Sequence, residues 1–191
     1  MGGADKGLRL LDGMPLALHA AQKVTGQVAA VVINANRHLD EYARMGYPVV
    51  LDADAEAFLG PLAGVLAGLD GCATPWMLTL PCDAPSFPPD LPRKLLDAAT
   101  EHGAEVAVAC DAGAEARWQP TFCLVSRAVQ APLASFLAAG GRKVEDFLRT
   151  RRYVAVPFDD PTRVFANLNT DEELEMAQAR RSRPAPGQAT R

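Results

Sequence analysis

The sequence predicts an α/β fold, three layers deep, with a mostly parallel sheet between two layers of helices. Short apolar runs of strand length alternate with amphipathic runs of helix length. Several short runs are apolar throughout, as in strands covered on both faces. Polar clusters fall just after these runs, where a parallel sheet places its ligand site.

The elements follow in order. Gly2, Gly3, Asp5, Lys6 and Gly7 form a turn that can approach a phosphate closely, with Lys6 as a point charge or as an ordinary surface lysine. Pro15 to Val24 reads as a helix with proline in its first turn. Val28 to Ile33 reads as a doubly buried strand, Arg37 to Met45 as a helix and Pro48 to Leu51 as a short strand. Gly60 to Leu69 is a helix of small residues. Its Gly60 and Gly64 serve either close ligand approach or close packing on the sheet. Trp76 to Leu80 is a strand ending at Pro81, and Pro88-Pro89-Asp90 opens a helix that runs to about His102. Glu105 to Cys110 and Gln119 to Val125 are strands. Ser126 to Ala138 and Lys143 to Thr150 are helices divided by Gly140-Gly141. Tyr153 to Pro157 and Val164 to Ala166 are short strands, and Thr170 with Glu173 forms a capping box for a last helix.

At 191 residues the chain makes one domain, assigned to residues 1–179. The tail 180–191 is basic, bears prolines and lacks apolar periodicity, so it is expected to be disordered. The net charge of −4 argues against a nucleic-acid binder, yet leaves room for a small phosphorylated substrate. Cys72, Cys82, Cys110 and Cys123 show no C-x-x-C pairing and read as buried reduced thiols, which fits a cytoplasmic location. No apolar run is long enough to predict a membrane span.

Four clusters could carry chemistry: Asn34-Ala35-Asn36-Arg37, Asp52-Ala53-Asp54, Pro81-Cys82-Asp83-Ala84-Pro85 and Asn167-Leu168-Asn169-Thr170. Each alone is also ordinary turn and cap chemistry, but four at one sheet edge predict a shared pocket. Asp83 is the sharpest residue. It follows an apolar strand between two prolines, and a carboxylate held there suits Mg²⁺. Arg117-Trp118-Gln119 is a strand start or the lining of an acceptor pocket. His19, His38 and His102 lack metal-ligand spacing and read as structural or solvated. The P-loop spacing and the G-x-S-x-G elbow are both absent.

These segments, with Met1-Gly2-Gly3-Ala4-Asp5-Lys6-Gly7-Leu8, Gly13-Met14-Pro15-Leu16 and Gly60-Pro61-Leu62-Ala63-Gly64, resemble the molybdenum cofactor guanylyltransferases of the nucleotidyltransferase superfamily, from Met1 to about Ala179. The resemblance implies a Rossmann-like nucleotidyltransferase fold and transfer of GMP from Mg²⁺-bound GTP to molybdopterin, with release of pyrophosphate. It implies that Lys6, Asn34, Asp52 and Asp83 bind GTP, that Lys6 and Asp83 act in catalysis, and that Asp83 holds the metal. Asp54 competes with Asp52. Asn167 and Asn169 would orient metal or acceptor, and molybdoenzymes or their chaperones would receive the product. Family members begin with a strand and a glycine-rich half-loop ahead of the Met-Gly-Gly, so a sheet lacking its first central strand is expected here. The alternatives are a related transferase using CTP or a sugar phosphate, and an inactive paralogue that binds a partner.

Overall fold

A computed structural model describes residues 5–54, 60–112, 117–158, 165, 167, 168 and 170–181. Its main sheet has the strand order β5-β7-β6-β8, from β5 (Trp76–Thr79), β6 (Val106–Asp111), β7 (Trp118–Ser126) and β8 (Tyr153–Phe158). Strand alternation builds the three layers. Ala107 and Ala109 of β6, with Phe122 and Leu124 of β7, face α1 (Leu16–Val24) and α4 (Leu91–Glu101). Val106, Val108, Cys123 and Val125 face the other way, onto α3 (Pro61–Asp70), α5 (Gln130–Ala138) and α6 (Val144–Arg149). The α/β class and layering therefore agree with the sequence reading.

The sheet is mixed rather than mostly parallel. β6 and β8 are parallel, but β7 runs antiparallel to both β5 and β6. The reason is chain length: segment 112–117 joins β6 to β7, and a parallel crossover needs a dozen residues or more.

The N-terminal half is built more sparsely. β3 (Ile33–Asn34) pairs in parallel with β4 (Val49–Val50) as a separate two-stranded sheet. Among the described residues β3 pairs only with β4 and β5 only with β7, so the two sheets share no strand pairing. Helix α3 spans both pieces, since Gly64 faces Asn34 and Gly68 faces Met77 of β5. The run Val28 to Ile33 does not form the expected doubly buried strand. Only Ile33 is buried, and Val32 is 45% exposed. Apolar composition records the faces of a strand, not whether each edge has a partner.

Two devices close the N-terminal region. β1 (Leu10–Leu11) and β2 (Met14–Pro15) form a hairpin, with Asp12 and Gly13 both at positive φ, 52° and 77°. Asp-Gly favours that turn, so this unforeseen hairpin had a readable signal. Helix α2 (Leu39–Ala43) follows His38, which holds a φ of 54°. At the C-terminal end the capping box forms as read: the Thr170 amide donates to Glu173 Oε2 at 3.0 Å and the Glu173 amide to Thr170 Oγ1 at 3.1 Å. It starts α7 (Asp171–Arg181), which passes the Ala179 boundary. The expected strand Val164 to Ala166 and the tail from residue 182 lie outside the described residues, Phe165 excepted. The thiol expectation holds for Cys110 and Cys123, whereas Cys72 is half-buried and Cys82 exposed. Among the described residues no helix is long and apolar enough to cross a membrane.

Candidate active site

Asp83 is the one buried charged residue among those described, 8% exposed. It does not cap α4, whose N-cap is Asp90, so its rigid loop has no helix-starting duty. Its carboxylate pairs with Lys6, Nζ to Oδ2 at 3.0 Å, across 77 positions of sequence. Lys6 is half exposed, so the pair adds little to stability, roughly 0–1 kcal/mol. The pair sets one cation and one carboxylate side by side beyond the end of β5.

The turn that carries Lys6 is a single 3₁₀ turn, Lys6–Leu8, capped by Asp5. The Gly7 amide donates to Asp5 Oδ1 at 3.1 Å, and the Tyr42 hydroxyl donates to the same oxygen at 2.5 Å. Burial, then the Asp5 hydrogen bond and charge, hold the Tyr42 hydroxyl well above its usual range, so it stays a neutral donor. Gly2 and Gly3 lie outside the described residues.

A second cluster forms where β3 and β4 end. Asn34 Nδ2 donates to Asp52 Oδ1 at 2.9 Å and to the Val50 carbonyl at 3.2 Å. Asn36 Nδ2 donates to Asp52 Oδ2 at 2.8 Å and its own Oδ1 accepts the Asp52 amide at 2.9 Å. Asp52 is thus clamped by two amides, while Asp54 lies in an exposed turn. Of the two readings of Gly64, the geometry supports close packing, here against the Asn34 side chain of β3. A Cβ at residue 64 would overlap Asn34 Oδ1. Gly60, at a φ of 77°, opens α3.

The third contribution comes from the C-terminal segment. The Leu168 amide donates to the Asp83 carbonyl at 2.7 Å, and the Leu168 carbonyl accepts from Arg9 Nη1 at 3.2 Å. Leu168 is buried with Leu11 and Leu16, which pins the segment down. Asn167, next in chain, is exposed, and Asn169 lies outside the described residues.

Sequence reasoning named Asp5 and Asn36 only within their segments, without a role of their own, and did not single out Arg9 or Tyr42. Asn36 had a signal, its place in Asn34-Ala35-Asn36. Tyr42 had none, because an aromatic in an amphipathic helix reads as core. Cys82 is exposed beside Asp83. The three histidines are structural or solvated as read: His19 and His102 meet the Leu11 and Ala98 carbonyls, and His38 meets Glu41. Gln119 donates to Asp111, and Trp118 packs edge-on against Tyr153, as in a plain strand start.

Chemically, the candidate residues make a half-exposed cation paired with a buried carboxylate, and a clamped amide–carboxylate cluster. Such a set can receive a nucleotide, with donors and acceptors for a base and opposite charges for phosphate and metal.

Residues 1–156 match the family model of the MobA-like NTP transferase domain. A molybdenum cofactor guanylyltransferase of Cupriavidus metallidurans is 46% identical over 94% of this chain and 88% of its own length. Molybdopterin-guanine dinucleotide biosynthesis protein A of Archaeoglobus fulgidus superposes with a TM-score of 0.72 at 19% identity, covering 94% of this chain and 92% of that one. The 2-C-methyl-D-erythritol 4-phosphate cytidylyltransferase of Thermus thermophilus gives 0.69 at 16% identity, covering 92% and 93%, a likeness of fold alone. The chain therefore belongs to the MobA-like NTP transferase family and stands among its molybdenum cofactor guanylyltransferases.

Proposed function

We propose that this protein transfers GMP from GTP to molybdopterin, forming the guanine dinucleotide of the molybdenum cofactor and releasing pyrophosphate. The observation that carries the reading is the Lys6–Asp83 pair at 3.0 Å, in a chain 46% identical to a named guanylyltransferase. A phosphate oxygen of the acceptor bonds to the α-phosphorus while the bond to the β-phosphate oxygen breaks, in line, and the pair of electrons leaves with pyrophosphate. Such a step needs positioning and charge neutralisation more than covalent help.

The residues divide this work. Lys6 neutralises phosphate charge once the nucleotide draws it from Asp83. Asn34 and the clamped Asp52 face the guanosine. Asn167 and Asn169 orient the acceptor. A divalent metal fits Asp83: the donor is a buried carboxylate oxygen, and Mg²⁺ is commonly held by one or two carboxylates with water and substrate phosphates completing its shell. When bound, Mg²⁺ would supply positive charge to the phosphates.

The test is incubation of the protein with Mg²⁺, molybdopterin and each of the four nucleoside triphosphates, followed by product mass and pyrophosphate release. Guanine dinucleotide formed from GTP is expected, and Asp83→Ala should abolish it while leaving the far-UV spectrum unchanged. Transfer from CTP but not GTP would overturn the guanylyl reading.

A further inference from the structure

We infer that Tyr42 is a positioning residue for Lys6, acting through Asp5, and that it couples the phosphate end of the site to the base end. The inference rests on the proposed nucleotide site and adds a member to it that touches no substrate.

The Tyr42 hydroxyl and the Gly7 amide converge on one oxygen, Asp5 Oδ1. Asp5 caps the turn on which Lys6 stands, so this oxygen fixes the turn from outside and from within. The approach is close enough to dictate sequence. A Cβ at residue 7 would overlap the Tyr42 oxygen, so glycine is required there by Tyr42 rather than by its own φ. Tyr42 is 4% exposed and belongs to an apolar cluster with Ala17, Ile33, Ala35 and Val49. Ile33 and Ala35 flank Asn34, and β4 leads to Asp52. One side chain therefore shares an apolar cluster with the residues that flank Asn34 and hydrogen-bonds the cap that sets the lysine.

A buried tyrosine with a satisfied hydroxyl is also a common structural feature, so the test separates the two roles. Tyr42→Phe keeps the ring and removes the oxygen. In the wild-type background it should lower kcat/KM for GTP roughly 10- to 100-fold, the usual scale for a misplaced catalytic group. In a Lys6→Ala background it should lower it no further, because the group it positions is gone. Hydrogen exchange at the Gly7 amide should quicken at least tenfold, with β6 amides unchanged. A penalty of equal size in both backgrounds, or an unchanged Gly7 amide, would overturn the inference. If the wild-type protein transfers no GMP, the proposed function fails, and Gly7 exchange alone then decides the positioning claim.

Discussion

The two halves of the molecule hold themselves together differently. The C-terminal half has strands of four to nine residues in one sheet, sandwiched between two apolar clusters. The N-terminal half has two strand pairs, each strand two residues long, and relies on side chains: Tyr42 to Asp5, two asparagines to Asp52, His19 to the Leu11 carbonyl. The proposed site draws on both sides of this divide. Lys6, Asn34 and Asp52 come from the sparse half, while Asp83 and the Leu168 segment come from the packed one. A packed sheet can hold a carboxylate in a fixed place, and a half held by polar clamps can adjust when a nucleotide arrives.

The largest expected effect tests the packing side. Phe122 is 1% exposed and its ring lies 6.0 Å from Phe87 and 4.7 Å from Phe165. Phe122→Ala should cost about 3–5 kcal/mol in urea unfolding. Val32→Thr, on the exposed run before β3, should stay within about 0.5 kcal/mol. Similar losses from both would erase the contrast.

Next come two glycines of one helix. Gly64→Ala forces Asn34 aside and should cost about 1–3 kcal/mol while raising KM for GTP. Gly68→Ala meets only the flexible Met77 side chain, with Sδ at 2.8 Å, and should leave KM unchanged. If both raise KM alike, Asn34 is not what Gly64 protects. A smaller effect, about 1 kcal/mol, is expected for Thr170→Ala, which removes the hydroxyl from the α7 capping box and is read by thermal unfolding.

The same divide sets what the sequence made legible. β6 is apolar from Val106 to Cys110, and burial on both faces leaves a pattern that cannot be missed. Strand ends singled out Asn34, Asp52 and Asp83 as candidates because several polar clusters fall at the ends of apolar runs, although each alone is ordinary turn chemistry. The direction of β7 was also within reach, since segment 112–117 is too short for a crossover. What stayed hidden were the long-range clamps. Nothing in Tyr42 announces Asp5, and nothing in Gly64 announces Asn34, because spacing along the chain carries no record of which side chains meet across it.

Alkaline pH probes both halves at once, and at neutral pH its effect vanishes. Cys123, buried in β7, has its thiol pushed up to about 11 by burial, and burial also raises Cys110. Tyr42 is raised in the other half. A raised acid keeps its proton longer in the folded state than in the unfolded one. The folded state therefore binds more protons at high pH, and the unfolding free energy falls as pH rises. These terms are present in full below about pH 9 for the thiols and below about pH 10 for the tyrosine, then decline. Urea midpoints should be flat from pH 7 to about 9 and fall beyond it. Cys123→Ala should shallow the first part of the fall, and Tyr42→Phe only the part above pH 10. If Tyr42→Phe changes the curve near pH 9, or Cys123→Ala changes nothing, then the proton is held somewhere other than in these two buried places, and the packed half does not owe its alkaline limit to β7.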